Sequence, residues 1–337
     1  MMARKLFFIA AVLALAGLFT ASLMAGAGTA TVGQVYAALT LPEPQNYTQA
    51  IIRYQRLPRT LIALYVGAVM ACSGLVFQAL LRNPLGSSST LGINAGAVLY
   101  TVGGAVLFNF GLPLQGVCAL AGALFGFLSS LTVARLAGAR DVPPGLLLIL
   151  AGSLISMLYL GVANAILLSH PEVRSAYLGW ISGTINNAYA NRLYSFWWMG
   201  LLALALLLLL ARPLTLMLLG NEKALSIGIN TRWTAGLALG AAIVAAGSGV
   251  AICGPIGFVG LMVPHAVCPL VGQHFLLALP ACVLLGACAC LLATLAAQTL
   301  FQPYIVHTGV LMDLLGGLFF IWVIKTHYLS ATPSKTR

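Results

Sequence analysis

The sequence predicts an all-α polytopic membrane protein with about ten transmembrane helices, and both its composition and the spacing of its apolar segments support this class. Hydrophobic residues make up 61% of the 337-residue chain, and charged residues only 6%. A soluble domain carries roughly 25% charged residues, so a water-soluble core could not absorb this apolar excess. Apolar runs of about 20 residues, the length that crosses a bilayer, recur with short connections. We therefore expect residues 1–337 to form a single transmembrane domain.

Ten apolar segments can be delimited along the chain. The first is longer than the core of a signal peptide and many others follow it, so we interpret it as an uncleaved span. The eighth is short and begins with Gly-Pro-Ile-Gly at 254–257, which predicts a broken helix near 254–267. Such backbone is tolerated at membrane depth only where protein or a water-filled cavity surrounds it. The predicted spans are 6–28, 58–80, 91–110, 113–135, 144–168, 193–211, 233–252, 255–267, 277–300 and 308–325.

The distribution of basic residues predicts that both ends of the chain lie in the cytoplasm (N-in/C-in). With this orientation 11 of the 16 Lys and Arg residues fall in inside loops and five fall outside, as the positive-inside rule requires. Three of the outside residues, Arg53, Arg56 and Arg59, form a cluster that needs its own explanation. Two outside connections, 29–57 and 169–192, are long. On the inside, 212–232 has the pattern of a short amphipathic helix on the membrane surface.

The chain lacks the residue patterns of an enzyme. Its carboxylates are not clustered, so they do not form the Mg²⁺ site that membrane transferases need. Ser153, Ser248 and His265 match an intramembrane protease by residue type only. No GxxxxGK[ST] phosphate loop occurs, so any ATPase must be another chain. The net charge is +11, and the basic residues are scattered between apolar runs, which argues against nucleic-acid binding. The seven cysteines show no metal-like spacing and are interpreted as packing residues.

Three polar residues inside or beside predicted spans are candidates for a transport pathway. Gln78 lies in the second span among small residues that permit close helix contact. Asp313 lies inside the last span, where an ionisable side chain is costly and is by default a functional hypothesis. His307 lies near the outer end of the same span but not on the helical face of Asp313. The alternative for each residue is a purely structural role within the bundle.

A series of motifs appears in an order that resembles the FecCD family of ABC importer permeases, which move ferric siderophores, haem and cobalamin. The strongest block is Gly-Pro-Ile-Gly-Phe-Val-Gly-Leu-Met-Val-Pro-His at 254–265. The resemblance covers roughly residues 30–325. Its other blocks are Arg56-Leu-Pro-Arg59, Ser73-Gly74, Arg82-Asn-Pro-Leu85, Leu91-Gly92, Gly96-Ala97, Gly179-Trp180, Ser182-Gly183, Leu219-Gly220 with Ala224 and Ile227-Gly228, Gly309, Gly316-Gly317 and Phe319-Phe320.

The resemblance implies a transport subunit of the bacterial cytoplasmic (inner) membrane. It would work as a homodimer or as a heterodimer with a similar permease, surrounded by membrane lipid. Two ABC ATPase subunits, which hold the ATP and Mg, would dock on the inner face, and a periplasmic or lipid-anchored binding protein would deliver the substrate. No cofactor is expected on this chain. Arg56 and Arg59 would dock the binding protein, and Glu222, Ala224 and Gly228 within 212–232 would contact the ATPase.

Because the chain departs from the family pattern, several substrates stay open, and so does whether the chain transports at all. A ferric siderophore is the favoured cargo; haem is an alternative because His307 and Tyr304 are residue types that ligate haem iron, and cobalamin is another. The family's charged residues are replaced by Cys268, Thr294 and Gln298, and its usual alanine by Asp313. A further alternative is therefore a degenerate, non-transporting paralogue that pairs with an active permease.

Overall fold

The computed structural model describes residues 2–26, 30–138, 142–186, 189–301, 306–323 and 325. The described residues form helices and contain no strand. In the first half of the chain the helices are α1 (Met2–Met24), α2 (Val32–Thr40), α3 (Tyr47–Ile51), α4 (Leu57–Leu81), α5 (Ile93–Val106), α6 (Leu112–Ala137) and α7 (Pro144–Leu168). In the second half they are α8 (Pro171–Ile181), α9 (Ala190–Leu209), α10 (Ala211–Met217), α11 (Asn221–Ser226), α12 (Thr231–Cys253), α13 (Val259–Val271), α14 (Phe275–Thr299) and α15 (Thr308–Val323).

A helix lies on each of the ten apolar segments, and the helices differ in length. Among the described residues, seven helical stretches are long and apolar enough to cross a membrane, and they include α1, α4, α6, α7, α9, α12 and α14. The apolar helices α5, α13 and α15 are shorter. The chain is thus a multi-pass membrane protein, while ten crossings and the N-in/C-in orientation stay predictions.

The connection between α1 and α4 contains the helices α2 and α3. A capping box starts α2, in which Thr31 and Gln34 exchange side chain to backbone hydrogen bonds. Helix α3 then continues through a π-helical turn at Ile52–Arg56 directly into α4. The turn precedes Pro58, which has no backbone N–H and disturbs regular helical bonding around it. A π-turn at this point therefore accommodates the proline without ending the helix.

Helix α4 is the centre of the bundle, and its small residues allow other helices to approach it closely. Gly67 lies against the backbone of Gly286 in α14, and Gly74 lies against the carbonyl of Gly260 in α13. A side chain at either glycine would overlap these backbone atoms. Close contact between small residues is the usual way to pack helices in lipid, where the hydrophobic effect does not drive them together.

The segment predicted to form one amphipathic helix, 212–232, instead contains two short helices before α12 begins. Helix α10 follows α9 almost without interruption, and α11 starts after Gly220. Gly220 has φ +112°, a conformation that side chains strongly disfavour. This glycine separates α10 from α11, and a helical pattern alone does not reveal such a turn.

Candidate functional site

The predicted break in the eighth span is present and lies between α12 and α13. Helix α12 ends at Cys253, and Gly254 leaves the helical conformation with φ +80°. Residues 254–257 are not helical, and α13 begins at Val259. We call residues 254–258 the break segment. Its free backbone groups need partners from other elements, because lipid offers none.

Phe258, the last residue of the break segment, adopts a left-handed conformation with φ +57°. This conformation costs a bulky residue about 1–2 kcal/mol, and it persists only where the surroundings hold it. The ring of Phe258 packs where a Cβ on Gly316 of α15 would lie, so Gly316 leaves the space that the ring fills. Helix α15 therefore holds the break segment in its strained form.

Gln78 of α4 supplies hydrogen bonds that the start of α13 lacks. Pro264 has no N–H, so the carbonyl of Gly260 loses its usual helical partner four residues on. The Nε2 of Gln78 donates to the Gly260 carbonyl at 3.2 Å and to the Leu261 carbonyl at 3.1 Å. Gln78, which the sequence predicts to be a pathway residue, thus connects α4 to α13 beside the break segment.

We expect Gln78→Leu to lower the free energy of unfolding by about 1–3 kcal/mol, because the Gly260 carbonyl is left without a partner. Thermal unfolding of the purified protein in detergent measures the loss. Gln298→Leu is the matched control, since the Gln298 side chain makes no hydrogen bond in the described part of the chain. Equal losses in the two variants would contradict the role given to Gln78.

Asp313 of α15 also meets the break segment. Its carboxylate accepts a hydrogen bond from the backbone N–H of Gly257. A Cβ on Gly257 would lie 2.5 Å from Asp313 Oδ1 and 3.7 Å from Ser89 Oγ, so these two oxygens flank the same glycine. The Asp313 residue is nevertheless exposed at the surface of the single chain.

Ser89 and Asn94, which sequence reasoning missed, complete this polar cluster. The Nδ2 of Asn94 donates to Ser89 Oγ at 2.9 Å, and the Oδ1 of Asn94 is buried with no hydrogen-bond partner in the described chain. Ser156 of α7 donates to the Ser89 carbonyl at 3.1 Å. A signal for this cluster exists in the sequence, because a run of hydroxyl residues at 87–90 and an asparagine follow the second span.

His307 contacts the loop that packs on the break segment. Its Nδ1 is 2.6 Å from Thr184 Oγ1 in the loop after α8. In the same loop, the carbonyl of Gly183 accepts a hydrogen bond from Gly309 N at 2.7 Å, and Gly183 packs on the Pro255 carbonyl. Tyr304, the other residue considered for haem, falls outside the described residues. All three pathway candidates, Gln78, His307 and Asp313, are therefore positioned by elements that contact the break segment or the start of α13.

The two arginines of the Arg-Leu-Pro-Arg motif have different surroundings. Arg56 is buried, with 3% of its surface exposed, and its Nη1 donates to the carbonyls of Leu23 and Met24 at the end of α1. Arg59 is half-buried, and its Nε and Nη2 have no hydrogen-bond partner in the described chain. Arg56 thus ties α1 to α4, whereas the buried Nε and Nη2 of Arg59 make no such connection in the described chain.

The residues proposed for ATPase contact lie on α11 and its end. Glu222 and Gly228 are exposed, and Gly228 has φ +89°. Ala224 is fully buried, so its methyl group faces the protein rather than a partner. A cavity of about 490 Å³ lies beside α10, not beside α11. It is lined by the end of α4, including Gln78 and Arg82, and by parts of α10 and α13.

Long apolar helices around a central glycine-lined helix, with polar side chains gathered at a break in one span, define a multi-pass membrane protein. The sequence model described as the FecCD transport family matches residues 13–326. The chain therefore belongs to the FecCD transport family. It is an ABC importer permease of the metal-chelate type.

The names of individual relatives fit this family. The hemin transport system permease protein HmuU of Yersinia pestis is 36% identical over 273 residues, which cover 80% of this chain and 81% of that protein. The Fe(3+)-citrate import system permease protein YfmD of Bacillus subtilis (strain 168) is 32% identical over 277 residues, 82% of each chain. A solved metal-chelate type ABC transporter in an inward-facing conformation has a TM-score of 0.78 and 27% identity, and covers 96% of this chain and 99% of its own.

Proposed function

We propose that this chain is the membrane-spanning permease subunit of an importer that moves a ferric siderophore into the cytoplasm. The observation that carries the proposal is the family match over residues 13–326. Relatives named for other cargo, such as a cobalamin import permease of Halobacterium salinarum, show that the family alone leaves the chelate open. Relatives named for ferric enterobactin and for iron(3+)-hydroxamate support a siderophore.

The permease would act as a dimer in the bacterial cytoplasmic membrane, either with a second copy or with a similar chain. The exposed position of Asp313 supports this arrangement, because a carboxylate on the surface of an apolar helix is costly in lipid. A second subunit enclosing a water-filled path would remove that cost. We propose ten crossings with both termini inside, in agreement with the 11 basic residues that fall in inside loops.

Two separate ABC ATPase subunits would dock on the inner face at the segment 212–232. Leu219, Leu225 and Ile227 are each more than half exposed in this segment. Exposed apolar side chains so close in sequence support an interaction surface there. ATP hydrolysis would then shift the dimer between outward-open and inward-open states by movement of packed helices.

Ile227→Glu should uncouple ATP hydrolysis from transport. Burying a carboxylate against the partner is unfavourable, so we expect uptake to fall at least about tenfold while the chain still folds. Uptake and ATP hydrolysis are measured together in vesicles. Val32→Glu is the control, because Val32 is also exposed but lies on α2 in the predicted outside connection 29–57, away from the segment 212–232. Normal coupling in Ile227→Glu would place the ATPase contact elsewhere.

A bacterial strain that lacks this chain tests the cargo directly. We expect it to lose accumulation of radioactive iron from a ferric siderophore and to regain it when the chain is restored. If the strain instead loses uptake of haem or of cobalamin, that compound and not a ferric siderophore is the cargo. A strain that loses no uptake, in which a second permease alone supports transport, would favour the degenerate paralogue suggested by Cys268, Thr294 and Gln298.

A further inference from the structure

Asp313 occupies a position that lipid cannot cover favourably. One side of α15 packs on the protein, with Met312 buried and Gly316 against Phe258. Asp313 is exposed beside apolar residues of the same helix, such as Leu314. It makes no ion pair in the described part of the chain. An ionisable group of this kind within a membrane span faces a water-filled cavity or another subunit.

Asp313 does not stand alone, because the hydroxyl oxygen of Ser89 lies near the same glycine. Its Oδ1 and Ser89 Oγ flank Gly257, and Ser89 Oγ accepts a hydrogen bond from Asn94. Asn94 is 5% exposed, and its buried Oδ1 lacks a hydrogen-bond partner in the described residues. A buried polar atom without a partner calls for an explanation, and one explanation is a group that is present only during function.

We propose that Asp313, Ser89 and Asn94 form an acceptor-rich, negatively charged station on the translocation pathway, which selects neutral or cationic chelates against anionic ones. This inference rests on the proposed function and specifies the charge class of its cargo. The break segment places the station, because Gly257 holds the Asp313 carboxylate through its backbone N–H. Ser89, which is partly exposed, supplies a hydrogen-bonding group to the polar rim of a passing chelate, and the buried Asn94 holds Ser89 Oγ in place.

The charge of a ferric chelate depends on its donor groups. Three hydroxamates carry three negative charges and neutralise Fe³⁺, whereas three catecholates carry six and leave the complex with three negative charges. A single carboxylate within about 10 Å repels a trianion by about 1 kcal/mol even at the dielectric constant of water, and by more in a narrow cavity. The station thus disfavours tricatecholates and leaves trihydroxamates unaffected.

Charged thiol reagents test the station without any cargo. In the purified full chain in detergent, a cysteine is introduced by Ser89→Cys, or by Leu314→Cys as a second reporter in case the first does not fold. Its reaction rates with a cationic and an anionic methanethiosulfonate are compared, with the chain lacking the new cysteine as background. Asp313→Asn should lower the cation-to-anion rate ratio about fivefold.

A matched control removes a carboxylate elsewhere. Glu172→Gln, at the exposed start of α8, should leave the reagent ratio unchanged. A ratio that does not respond to Asp313→Asn, or a reporter cysteine that does not react, would overturn the station.

Uptake by the complete importer then tests selectivity, using a neutral ferric trihydroxamate and a trianionic ferric tricatecholate. We expect the chain to prefer the trihydroxamate and Asp313→Asn to raise the tricatecholate-to-trihydroxamate ratio about tenfold. An unchanged ratio, or a preference for the tricatecholate, would overturn the selectivity. Uptake of neither chelate would contradict the proposed siderophore function instead, and the reagent ratios would still decide whether the charged station exists.

Discussion

Arg56→Glu should prevent stable folding, whereas Arg59→Glu should fold and fail in docking. Arg56 is buried and donates to the carbonyls of Leu23 and Met24. A glutamate there would place a carboxylate against two carbonyl oxygens, and we expect a loss of at least about 3 kcal/mol in the free energy of unfolding. Size-exclusion profiles and thermal unfolding in detergent measure this loss.

Arg59→Glu tests the docking role that the family resemblance implies. Its Nε and Nη2 have no partner in the described chain, so the substitution removes no internal hydrogen bond of those atoms. Reversing a charge at a docking surface acts mainly on encounter and register. We expect the affinity for the substrate-binding protein to fall at least about tenfold, measured with the purified complex in nanodiscs.

Arg174→Glu is the matched control for both arginines, because Arg174 is exposed on α8. It should change neither folding nor docking. If Arg56→Glu were as stable as Arg174→Glu, the link between α1 and α4 would be unimportant. If Arg59→Glu bound the delivery protein with unchanged affinity, the Arg-Leu-Pro-Arg motif would have a structural role alone.

Gly74→Leu should disrupt the contact between α4 and α13. We expect it to lower the free energy of unfolding about as much as Arg56→Glu does. The first side-chain carbon at this position would overlap the backbone of Gly260, which cannot move without shifting the break segment. Overpacking commonly costs about 1–3 kcal/mol, and a clash with backbone lies at the upper end of that range. We expect the variant to lose most of its folded yield, and Gly74→Ala to be intermediate.

Gly240→Ala separates the packing effect from the general effect of replacing a helical glycine. Gly240 lies in α12, and no atom beyond the backbone of its own helix comes within 4 Å of the place where a Cβ would stand, so the alanine meets open space. Alanine is favoured over glycine in helices by about 1 kcal/mol, so this variant should be at least as stable as the natural chain. A Gly74→Leu protein with normal thermal stability would show that α4 and α13 do not pack as described.

Local features of the fold were predictable from the sequence. Long apolar runs predict helices, and Gly-Pro-Ile-Gly at 254–257 predicts the break, because both signals depend on neighbouring residues only. The small residues Gly67 and Gly74 correctly indicate close packing around the second span. Whether a given helix crosses the membrane is harder to predict from the sequence, because α5, α13 and α15 are shorter than the about 20 residues that a crossing needs.

Long-range contacts could not be predicted, and they determine the candidate site. The burial of Arg56 depends on where the end of α1 returns to α4, which no motif specifies. The burial of Ala224 depends on the turn at Gly220 that divides the segment into two helices. Ser89 and Asp313 are far apart in sequence, and the fold brings both of them close to Gly257.

ATP-dependent uptake in reconstituted vesicles tests the central claim most directly. The vesicles would contain this chain, its ATPase and its substrate-binding protein, and they would be offered a ferric trihydroxamate, haem and cobalamin in parallel. We expect the ferric trihydroxamate to accumulate with ATP and not with ADP. Well-folded complexes that hydrolyse ATP and accumulate none of the three would contradict a chelate importer.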